Sequence, residues 1–466
     1  MSQTIGFYGA AQTVTGSKHL LTLNGKNILV DCGIFQGSRE LRDRNWQPFP
    51  FEPNSLDAVV LTHAHLDHIG MIPKLVKEGY QGPIYCTRAT LGLAKISLPD
   101  SGRLQEEEAR YANKHGSRHS PALPLYTEQD AYACLKRFVP MPYWDFQPLP
   151  GGATFRFIPA GHILGSAFAE IYFENGERIL MSGDLGRFNT PIIKDPTYVE
   201  WAEYLVVEST YGNRTHAEED TMDRLEETLR ESMQSGGAVL IPSFSIGRTQ
   251  EVLYYLRELQ DANRMPRIPI FIDSPMAVSA TRLYADSKEE HDQDMKIAVS
   301  ENASSLEPHL LSLIRDREQS KALNKQQGPM IIIAGSGMAN GGRIVHHLKY
   351  RLGDPATQVV FTGYQAEGTL GRRLLEGEPE VHIHGQPIMV RARTTKLNSL
   401  SAHADANEII DWLRHFKAAP KKTFIVHGET DAQEALLTRI QTELNWEAVI
   451  PKQGETFILQ VRTSGK

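Results

Sequence analysis

The chain has 466 residues, 41% of them hydrophobic and 23% charged, which is typical of a soluble globular protein large enough for more than one domain. It has no long uninterrupted apolar run and no basic, apolar leader at the N-terminus, so we expect neither a membrane span nor a signal peptide. A net charge of −7 argues against general nucleic-acid binding without local positive charge, and three cysteines without a CxxC pair predict a reducing, cytoplasmic location.

The first predicted element is a β-hairpin that delivers an aspartate. Residues 18–23 alternate in polarity, Asn24-Gly25 is a strong signal for a two-residue turn, and residues 26–30 return. The return strand ends at Asp31, which we interpret as a carboxylate that orients a metal ligand or stabilises the turn. The neighbouring Cys32 has no partner at ligand spacing and is predicted to be buried.

Four candidate metal ligands then follow within six residues. The apolar run 58–61 predicts a short buried strand, and residues 69–80 carry apolar side chains at helical spacing. Between them lie His63, His65, Asp67 and His68, which would be costly to pack together without a metal ion. His63 and His65 point the same way in an extended loop and can share one metal, while Asp67 and His68 can serve a second.

The strand pattern repeats after a predicted helical region that runs from Arg88 to about Arg137. Residues 155–158 lead to His162, and a second Asn-Gly turn at 175–176 joins two strands, of which the second leads to Asp184. Twice, therefore, the return strand of a hairpin delivers an aspartate to a glycine-containing turn. We interpret this as two similar half-domains that face each other with their loops on one edge.

After Glu208 the pattern changes to strands that alternate with helices, which predicts a parallel α/β sheet. Short strands resume around Arg393, and the strand 424–427 ends in His427. Taken alone, a histidine at a strand end is more often structural than a ligand. The simplest organisation is a first domain that is interrupted by an inserted second domain.

The predicted parallel sheet has polar turns at the carboxyl ends of its strands, where ligands bind in folds of this type. They contain Ser243 and Arg248, then Ser274, then Ser336 and Gly337. Serine hydroxyls, glycine backbone and helix N-termini suit phosphate groups, so we predict that the inserted domain cradles a nucleic-acid backbone. Each turn taken singly is an ordinary strand-to-helix turn. Arg343, Arg372 and Arg373 would extend the track, although a solvated helix face is the simpler interpretation.

A dinuclear hydrolase needs neutral imidazoles, a carboxylate that can bridge two cations, and an open position for water. His162, Asp184 and His427 fall at strand ends or turns of the same predicted domain as the HxHxDH motif. These residue types suit zinc, although sites of this kind also accept manganese or iron.

These motifs together resemble the metallo-β-lactamase superfamily, whose signature is matched by Asp31, residues 63–68, His162 and Asp184. Glu208 in VVESTYG, His403 in SAHAD and His427 in VHGE resemble the A, B and C motifs of the β-CASP branch. The resemblance implies an α/β fold in which an αββα sandwich at 1–208 and 395–466 is interrupted by a β-CASP domain at 209–394.

The resemblance also implies roles for these residues. His63, His65 and His162 would hold one zinc ion, Asp67, His68 and His427 a second, and Asp184 would bridge the two ions. Asp67 would belong to the catalytic set together with Glu208 and His403. Glu208 and His403 would form a pair beside the scissile phosphate, with His403 as general acid and a metal-bound hydroxide as nucleophile.

The resemblance implies a zinc-dependent ribonuclease, with endonuclease and 5′-exonuclease activity both open, whose partner would be RNA with a single-stranded segment. The alternatives are a related hydrolase of small esters or phosphodiesters, a DNA-directed nuclease, and a non-catalytic RNA-binding subunit. We expect neither the additional C-terminal domain of ribonuclease J nor N-terminal KH-like domains. Homodimerisation stays open.

Overall fold

The computed structural model describes residues 3–116, 121–216, 219–300, 306–363, 365, 368–397 and 400–459. The chain forms two compact units. The first comprises residues 1–189, 195–215 and 403–466, and the second comprises residues 190–194 and 216–402. The boundaries predicted for the domains, after residues 208 and 394, stay a prediction.

The first unit contains fourteen strands and seven α-helices among the described residues. The strands are β1 (Gln3–Gly9), β2 (Lys18–Leu23), β3 (Lys26–Val30), β4 (Leu56–Val60), β5 (Ile84–Thr87), β6 (Phe138–Met141), β7 (Gln147–Leu149), β8 (Ala153–Pro159), β9 (Ala167–Tyr172), β10 (Arg178–Met181), β11 (Tyr204–Glu208), β20 (Lys422–Val426), β21 (Ala448–Val449) and β22 (Thr456–Leu459). The helices are α1 (Arg39–Asp43), α2 (Leu66–Ile69), α3 (Ile72–Lys77), α4 (Arg88–His115), α5 (Glu128–Leu135), α13 (Ala406–Arg414) and α14 (Thr430–Glu443).

The second unit contains eight strands and seven α-helices among the described residues. The strands are β12 (Ala238–Pro242), β13 (Ile270–Ile272), β14 (Leu311–Leu313), β15 (Met330–Ala334), β16 (Gln358–Phe361), β17 (Glu380–Ile383), β18 (Gln386–Met389) and β19 (Arg393–Lys396). The helices are α6 (Thr221–Ser235), α7 (Arg248–Asp261), α8 (Pro275–Asp286), α9 (Gln293–Ser300), α10 (Arg317–Leu323), α11 (Gly342–Arg351) and α12 (Leu370–Leu375).

Two seven-stranded sheets form the centre of the first unit. Their strand orders are β22-β1-β2-β3-β4-β5-β6 and β21-β20-β11-β10-β9-β8-β7. In each sheet an antiparallel part is followed by a parallel part, with the change at β3–β4 in one and at β10–β11 in the other. This matches the two similar halves that the repeated hairpin pattern predicts.

The two sheets pack face to face through an aromatic and aliphatic core that includes Phe7, Phe155, Phe157 and Phe424. Burial of each such ring stabilises the fold by about 1.5–3 kcal/mol relative to an exposed ring. Helices α13 and α14 cover the other face of the second sheet, with Trp412 fully buried there, and α4 packs against β5 and β6 of the first sheet. The layers are therefore helix, sheet, sheet and helix, which confirms the predicted αββα sandwich.

Both predicted hairpins are present, as the pairings of β2 with β3 and of β9 with β10 show. The helix predicted over residues 69–80 is wrong in its extent, because α2 begins at Leu66 inside the ligand motif and the chain breaks at Gly70 before α3. Close approach of other backbone explains this local shape: a Cβ at Gly33 would lie 1.6 Å from the Asp67 carbonyl oxygen. The ligand loop is thus packed directly onto the turn that carries Asp31.

The second unit contains a six-stranded sheet in the order β14-β13-β15-β12-β16-β19. Every adjacent pair in it is parallel, as the alternation of strands and helices predicts. Hydrophobic clusters lie on both faces, beneath α7 and α8 on one side and beneath α11 and α12 on the other. Parallel sheets require such cover, since both of their faces are apolar.

Across the part of the chain that the structure describes, the longest helix is α4, and neither it nor any other helix is apolar over enough residues to cross a membrane.

Candidate metal centre

The predicted metal ligands follow the carboxyl ends of four strands in the first unit. His63, His65, Asp67 and His68 come after β4, His162 after β8, Asp184 after β10 and His427 after β20, and Glu208 is the last residue of β11. Asp31 follows β3. Strand β4 belongs to the first sheet, and β8, β10 and β20 belong to the second. The loops after these strands meet at one edge of the sandwich, so His68 and His427, 359 positions apart in the chain, come into contact.

Three imidazoles and one carboxylate form the first cluster. The Nδ1 atom of His65 lies 3.2 Å from Nε2 of His63 and 3.1 Å from Nε2 of His162. The Asp184 Oδ2 atom lies 3.2 Å from His63 Nε2 and 3.4 Å from His162 Nε2. All four residues present ligand atoms close enough to share one ion.

The second cluster consists of Asp67, His68 and His427. The Nε2 atoms of the two imidazoles are 3.0 Å apart, and the His427 Nε2 atom lies 3.4 Å from Asp67 Oδ2. The other carboxylate oxygen of Asp184, Oδ1, lies 3.3 Å from His68 Nε2. Asp184 therefore presents one oxygen to each cluster, which is the arrangement that a bridging carboxylate needs.

The donor set fits two divalent metal ions. Tetrahedral zinc with Zn–N bonds of about 2.0–2.1 Å requires ligand atoms about 3.3–3.4 Å apart. The separations given above are 3.1–3.4 Å in the first cluster and 3.0–3.4 Å in the second. Asp184 Oδ1 is buried and has no hydrogen-bond partner among the described residues. A buried carboxylate oxygen without a donor is costly unless a cation satisfies it.

Burial favours the neutral, ligand-competent form of the first cluster's imidazoles. Desolvation holds the pKa of His65 at about 3 and lowers the pKa of His63 and of His162, with neighbouring imidazoles adding to the effect. His68 is different: burial alone would lower its pKa, but the carboxylates of Asp184 and Asp31 outweigh burial and raise it. Positive charge is thus favoured at this second cluster, and a bound dication would provide it.

Glu208 and His403 form a hydrogen-bonded pair next to these clusters. His403 Nδ1 lies 3.1 Å from Glu208 Oε1 and 4.0 Å from Asp184 Oδ2. Glu208 is fully buried, and its Oε1 atom also accepts a hydrogen bond from the backbone N–H of Leu185 at 2.7 Å. About a fifth of the His403 side chain is exposed.

Hydroxyl groups that the sequence analysis did not single out support the ligands from behind. Asp31 accepts hydrogen bonds from the backbone and hydroxyl of Thr62, both at 2.8 Å, and its Oδ2 atom lies 2.7 Å from His68 Nδ1. The Thr62 hydroxyl also lies 3.1 Å from His63 Nδ1, and the Thr210 hydroxyl lies 3.1 Å from His427 Nδ1. The sequence signal for these threonines was their position, since Thr62 directly precedes His63 and Thr210 lies two residues after Glu208.

The predicted phosphate loops lie at the carboxyl ends of β12, β13 and β15 in the second unit. Ser243 donates to the Phe244 carbonyl, Ser274 accepts from Ala277 N at the start of α8, and Ser336 donates to the Gly341 carbonyl. Gly337 follows Ser336 in the turn after β15. The Arg248 guanidinium is buried and paired with Glu251.

The solvated helix face that seemed the simpler interpretation for Arg343 is wrong. Its guanidinium donates to the fully buried Asp273 carboxylate at 2.6 Å and to the Arg315 carbonyl at 2.8 Å. His347 and Ser320 bond to the same carboxylate. Arg372 and Arg373 are paired with Glu376 and Glu378.

Three family models match the chain. The model described as the metallo-beta-lactamase superfamily matches residues 17–230, the Beta-Casp domain matches residues 249–374, and the Zn-dependent metallo-hydrolase RNA specificity domain matches residues 387–451. Together with the ligand clusters, these matches define the class as a metal-dependent hydrolase.

The chain is also similar to named proteins over most of its length. It is 39% identical to ribonuclease TTHA0252 from Thermus thermophilus, over 92% of this chain and 94% of that one. It is 30% identical to the transcription termination factor FttA of Methanosarcina mazei, over 94% of this chain and 69% of that one. The crystal structure of a protein of unknown function from Enterococcus faecalis V583 aligns with a TM-score of 0.57 and 13% identity over 98% of this chain and 100% of that one, which supports the fold alone. The chain therefore belongs to the β-CASP family of the metallo-β-lactamase superfamily.

Proposed function

We propose that this protein is a zinc-dependent ribonuclease with endonuclease activity, 5′-exonuclease activity or both. The observation that carries the proposal is the hydrogen-bonded pair of buried Glu208 and partly exposed His403, which lies next to a carboxylate shared by two clusters of metal-ligand side chains. RNA as substrate is supported by the name of the Thermus relative and by the description of the model that matches residues 387–451. The same site without RNA recognition would suit a small ester or phosphodiester.

The ligands would hold two zinc ions, which when bound would lower the pKa of water towards neutrality and offset the charge of the phosphate. His63, His65 and His162 would hold one ion, Asp67, His68 and His427 the other, with Asp184 between them. Asp31 orients His68 through the Nδ1 atom of its ring, and Thr62 orients His63 in the same way. The Nε2 atoms of both histidines thus stay available for coordination.

His403 would protonate the leaving oxygen. Burial alone would lower its pKa, but the charge and hydrogen bond of Glu208, with smaller contributions from Asp184 and Asp67, raise it to about 9. Ions bound to Asp184 and Asp67 would offset those two charges, so Glu208 is the partner that maintains the proton on His403 in the loaded enzyme. A protonated imidazole at neutral pH is what a general acid requires.

The test is incubation of the purified protein with a 5′-end-labelled single-stranded RNA in the presence of zinc or manganese. We expect cleavage, with mononucleotide release indicating a 5′-exonuclease and internal fragments an endonuclease. Asp184→Asn should lower the rate by about 10³-fold or more, because it weakens the interaction with both ions. The matched control is Glu434→Gln on the helix α14.

Parallel incubations with single-stranded DNA of the same sequence and with a nitrophenyl ester separate the alternatives. Faster cleavage of DNA would make the protein a DNA-directed nuclease, and turnover of the ester alone would make it a small-molecule hydrolase. Absence of any turnover with either metal would contradict the enzymatic proposal.

A further inference from the structure

Thr210 lies where the two chemical parts of the site meet. Strand β11 ends at Glu208, which pairs in register with Val426 on β20, and Thr210 and His427 follow these two strand ends. The parallel strands thus bring together a threonine and a metal-ligand candidate that are 217 residues apart.

The Thr210 hydroxyl makes two contacts with His427. It donates to the His427 carbonyl oxygen at 3.2 Å and lies 3.1 Å from the Nδ1 atom of the ring. A hydroxyl has one proton and two lone pairs. When its proton is directed to the carbonyl, it can only accept at the ring, so Nδ1 carries the ring proton and the Nε2 lone pair stays free.

The free Nε2 atom points at the other members of the second cluster. It lies 3.0 Å from His68 Nε2 and 3.4 Å from Asp67 Oδ2. The opposite tautomer would direct an N–H into this group of ligand atoms and block coordination. Although Nδ1 lies 3.6 Å from Asp184 Oδ1, its contact with Thr210 is 0.5 Å shorter.

The backbone of the same residue reaches the Glu208–His403 pair. The Thr210 N–H donates to Glu208 Oε2 at 3.2 Å, while Oε1 is the atom that faces His403. One residue therefore holds the metal-ligand histidine through its side chain and the carboxylate partner of the general acid through its backbone.

Tight packing fixes this arrangement. The neighbouring Ser209 hydroxyl donates to the Val426 carbonyl at 2.7 Å, and a Cβ at Gly428 would lie 2.3 Å from Ser209 Oγ. His427 itself has a φ of +52°, a left-handed conformation that a non-glycine residue adopts only when its surroundings impose it. The ring of His427 thus has little freedom to move if the hydroxyl is kept.

We propose that Thr210 is a positioning residue that selects the Nδ1–H tautomer of His427 and thereby sets the affinity of the second metal position. The proposal rests on the ligand assignment within the proposed function, but not on RNA being the substrate. Hydrogen bonds of this kind to a ligating histidine are typically worth 10-fold to 100-fold in metal affinity.

The test compares Thr210→Val, which keeps the shape and removes the hydroxyl, with Thr210→Ser, which keeps the hydroxyl. Competition with a chromophoric chelator should show 10-fold to 100-fold weaker binding of one of the two zinc equivalents in Thr210→Val and near wild-type binding in Thr210→Ser. Thr438→Val is the matched control, since among the described residues the Thr438 hydroxyl bonds only to a carbonyl of its own helix. Thr210→Ala, which is smaller than the native residue, replaces Thr210→Val if the valine variant does not fold.

A second readout needs neither metal nor substrate. Nitrogen-15 spectra of the metal-free protein should show the Nδ1–H tautomer of His427 in the wild type and in Thr210→Ser, and a mixture of tautomers in Thr210→Val. An unchanged zinc affinity in Thr210→Val, or an Nε2–H tautomer in the wild type, would overturn the proposal. Failure to cleave RNA would contradict the proposed function and leave these two measurements unaffected.

Discussion

The metal centre of the first unit and the sheet edge of the second unit are both built from loops that follow parallel strands, but their polar side chains are used differently. In the first unit the side chains point at one another across the clusters, and Asp184 Oδ1 is left without a hydrogen-bond donor among the described residues. In the second unit the predicted serines bond to the backbone of their own loops and helices. Its arginines are paired with carboxylates, Arg248 with Glu251 and Arg343 with Asp273. The side chains of the metal centre in the first unit are therefore arranged to hold a ligand. Those at the sheet edge of the second unit cap helices and close turns, as in ordinary strand-to-helix connections.

This difference shows how far a ligand site can be predicted from residue types and their spacing. Three histidines and an aspartate within six residues have few structural uses, so their spacing alone indicates a metal site. Serine and glycine at the carboxyl ends of strands also cap helices and close turns, and Ser274 does so for α8. The phosphate role of these loops accordingly stays a prediction, and the following experiments test both sides of the comparison.

The largest effect is expected at His403. His403→Ala should lower kcat on RNA by about 10²-fold to 10⁴-fold, because the leaving oxygen would lose its proton donor. The same variant should lose far less on a nitrophenyl phosphodiester, whose leaving group needs no proton. Its zinc content, measured by atomic absorption, should equal that of the wild type. An equal loss on both substrates would contradict the role of general acid.

A large effect on stability is expected at Asp273 in the second unit. This fully buried carboxylate bonds to Arg343, His347 and Ser320, and loss of its charge leaves a guanidinium without its partner. Asp273→Asn should lower the free energy of unfolding by about 3 kcal/mol, as measured by urea denaturation. Asp286→Asn at the end of α8 provides a matched control. A change below about 1 kcal/mol would mean that the network contributes little.

The pH dependence of cleavage should report the pairing of Glu208 with His403. Without bound ions the pKa of His403 is raised to about 9, chiefly by Glu208. Ions bound to Asp184 and Asp67 would lower it, so in the loaded enzyme the protonated acid should be lost as the pH rises through a value below about 9. Activity should therefore fall at alkaline pH. Glu208→Gln removes the charge that raises the pKa and should move the alkaline limb to lower pH, towards about 6.5. If the alkaline limb of the pH profile is unchanged in Glu208→Gln, that limb reports the titration of a group other than His403.

The smallest effect is expected at Arg248. A cation that contacts a phosphate contributes about one unit to the slope of log affinity against log salt concentration. Since the Arg248 side chain is only 8% exposed and is paired with Glu251, we expect Arg248→Gln to change the slope for RNA binding by much less than one. A decrease of about one unit in this slope would instead identify Arg248 as a phosphate ligand. The sheet edge of the second unit would then bind substrate, as the metal centre is proposed to do.

Much of the fold follows from local patterns in the sequence. The two hairpins were predictable because Asn-Gly turns fix register, and the parallel sheet because β-branched strands alternate with amphipathic helices. The break at Gly70 was not, since it depends on contact between the ligand loop and the turn after β3. Within the site, the histidines and carboxylates were apparent from their spacing. Thr62 and Thr210 lie close to these residues in the sequence, but their contacts with Asp31 and His427 depend on how the strand ends pack together. The role of Arg343 was hidden for the same reason, because its partner lies 70 residues earlier.

The separation of His68 and His427 by 359 residues has a consequence for biosynthesis. At about 5–20 residues per second, a ribosome needs about 18–72 s to pass from one to the other. While residues 163–402 are being made, the nascent chain has His63, His65 and His162 but lacks both His403 and His427. The metal centre and the pair that contains His403 can therefore be completed only after His427 has been made.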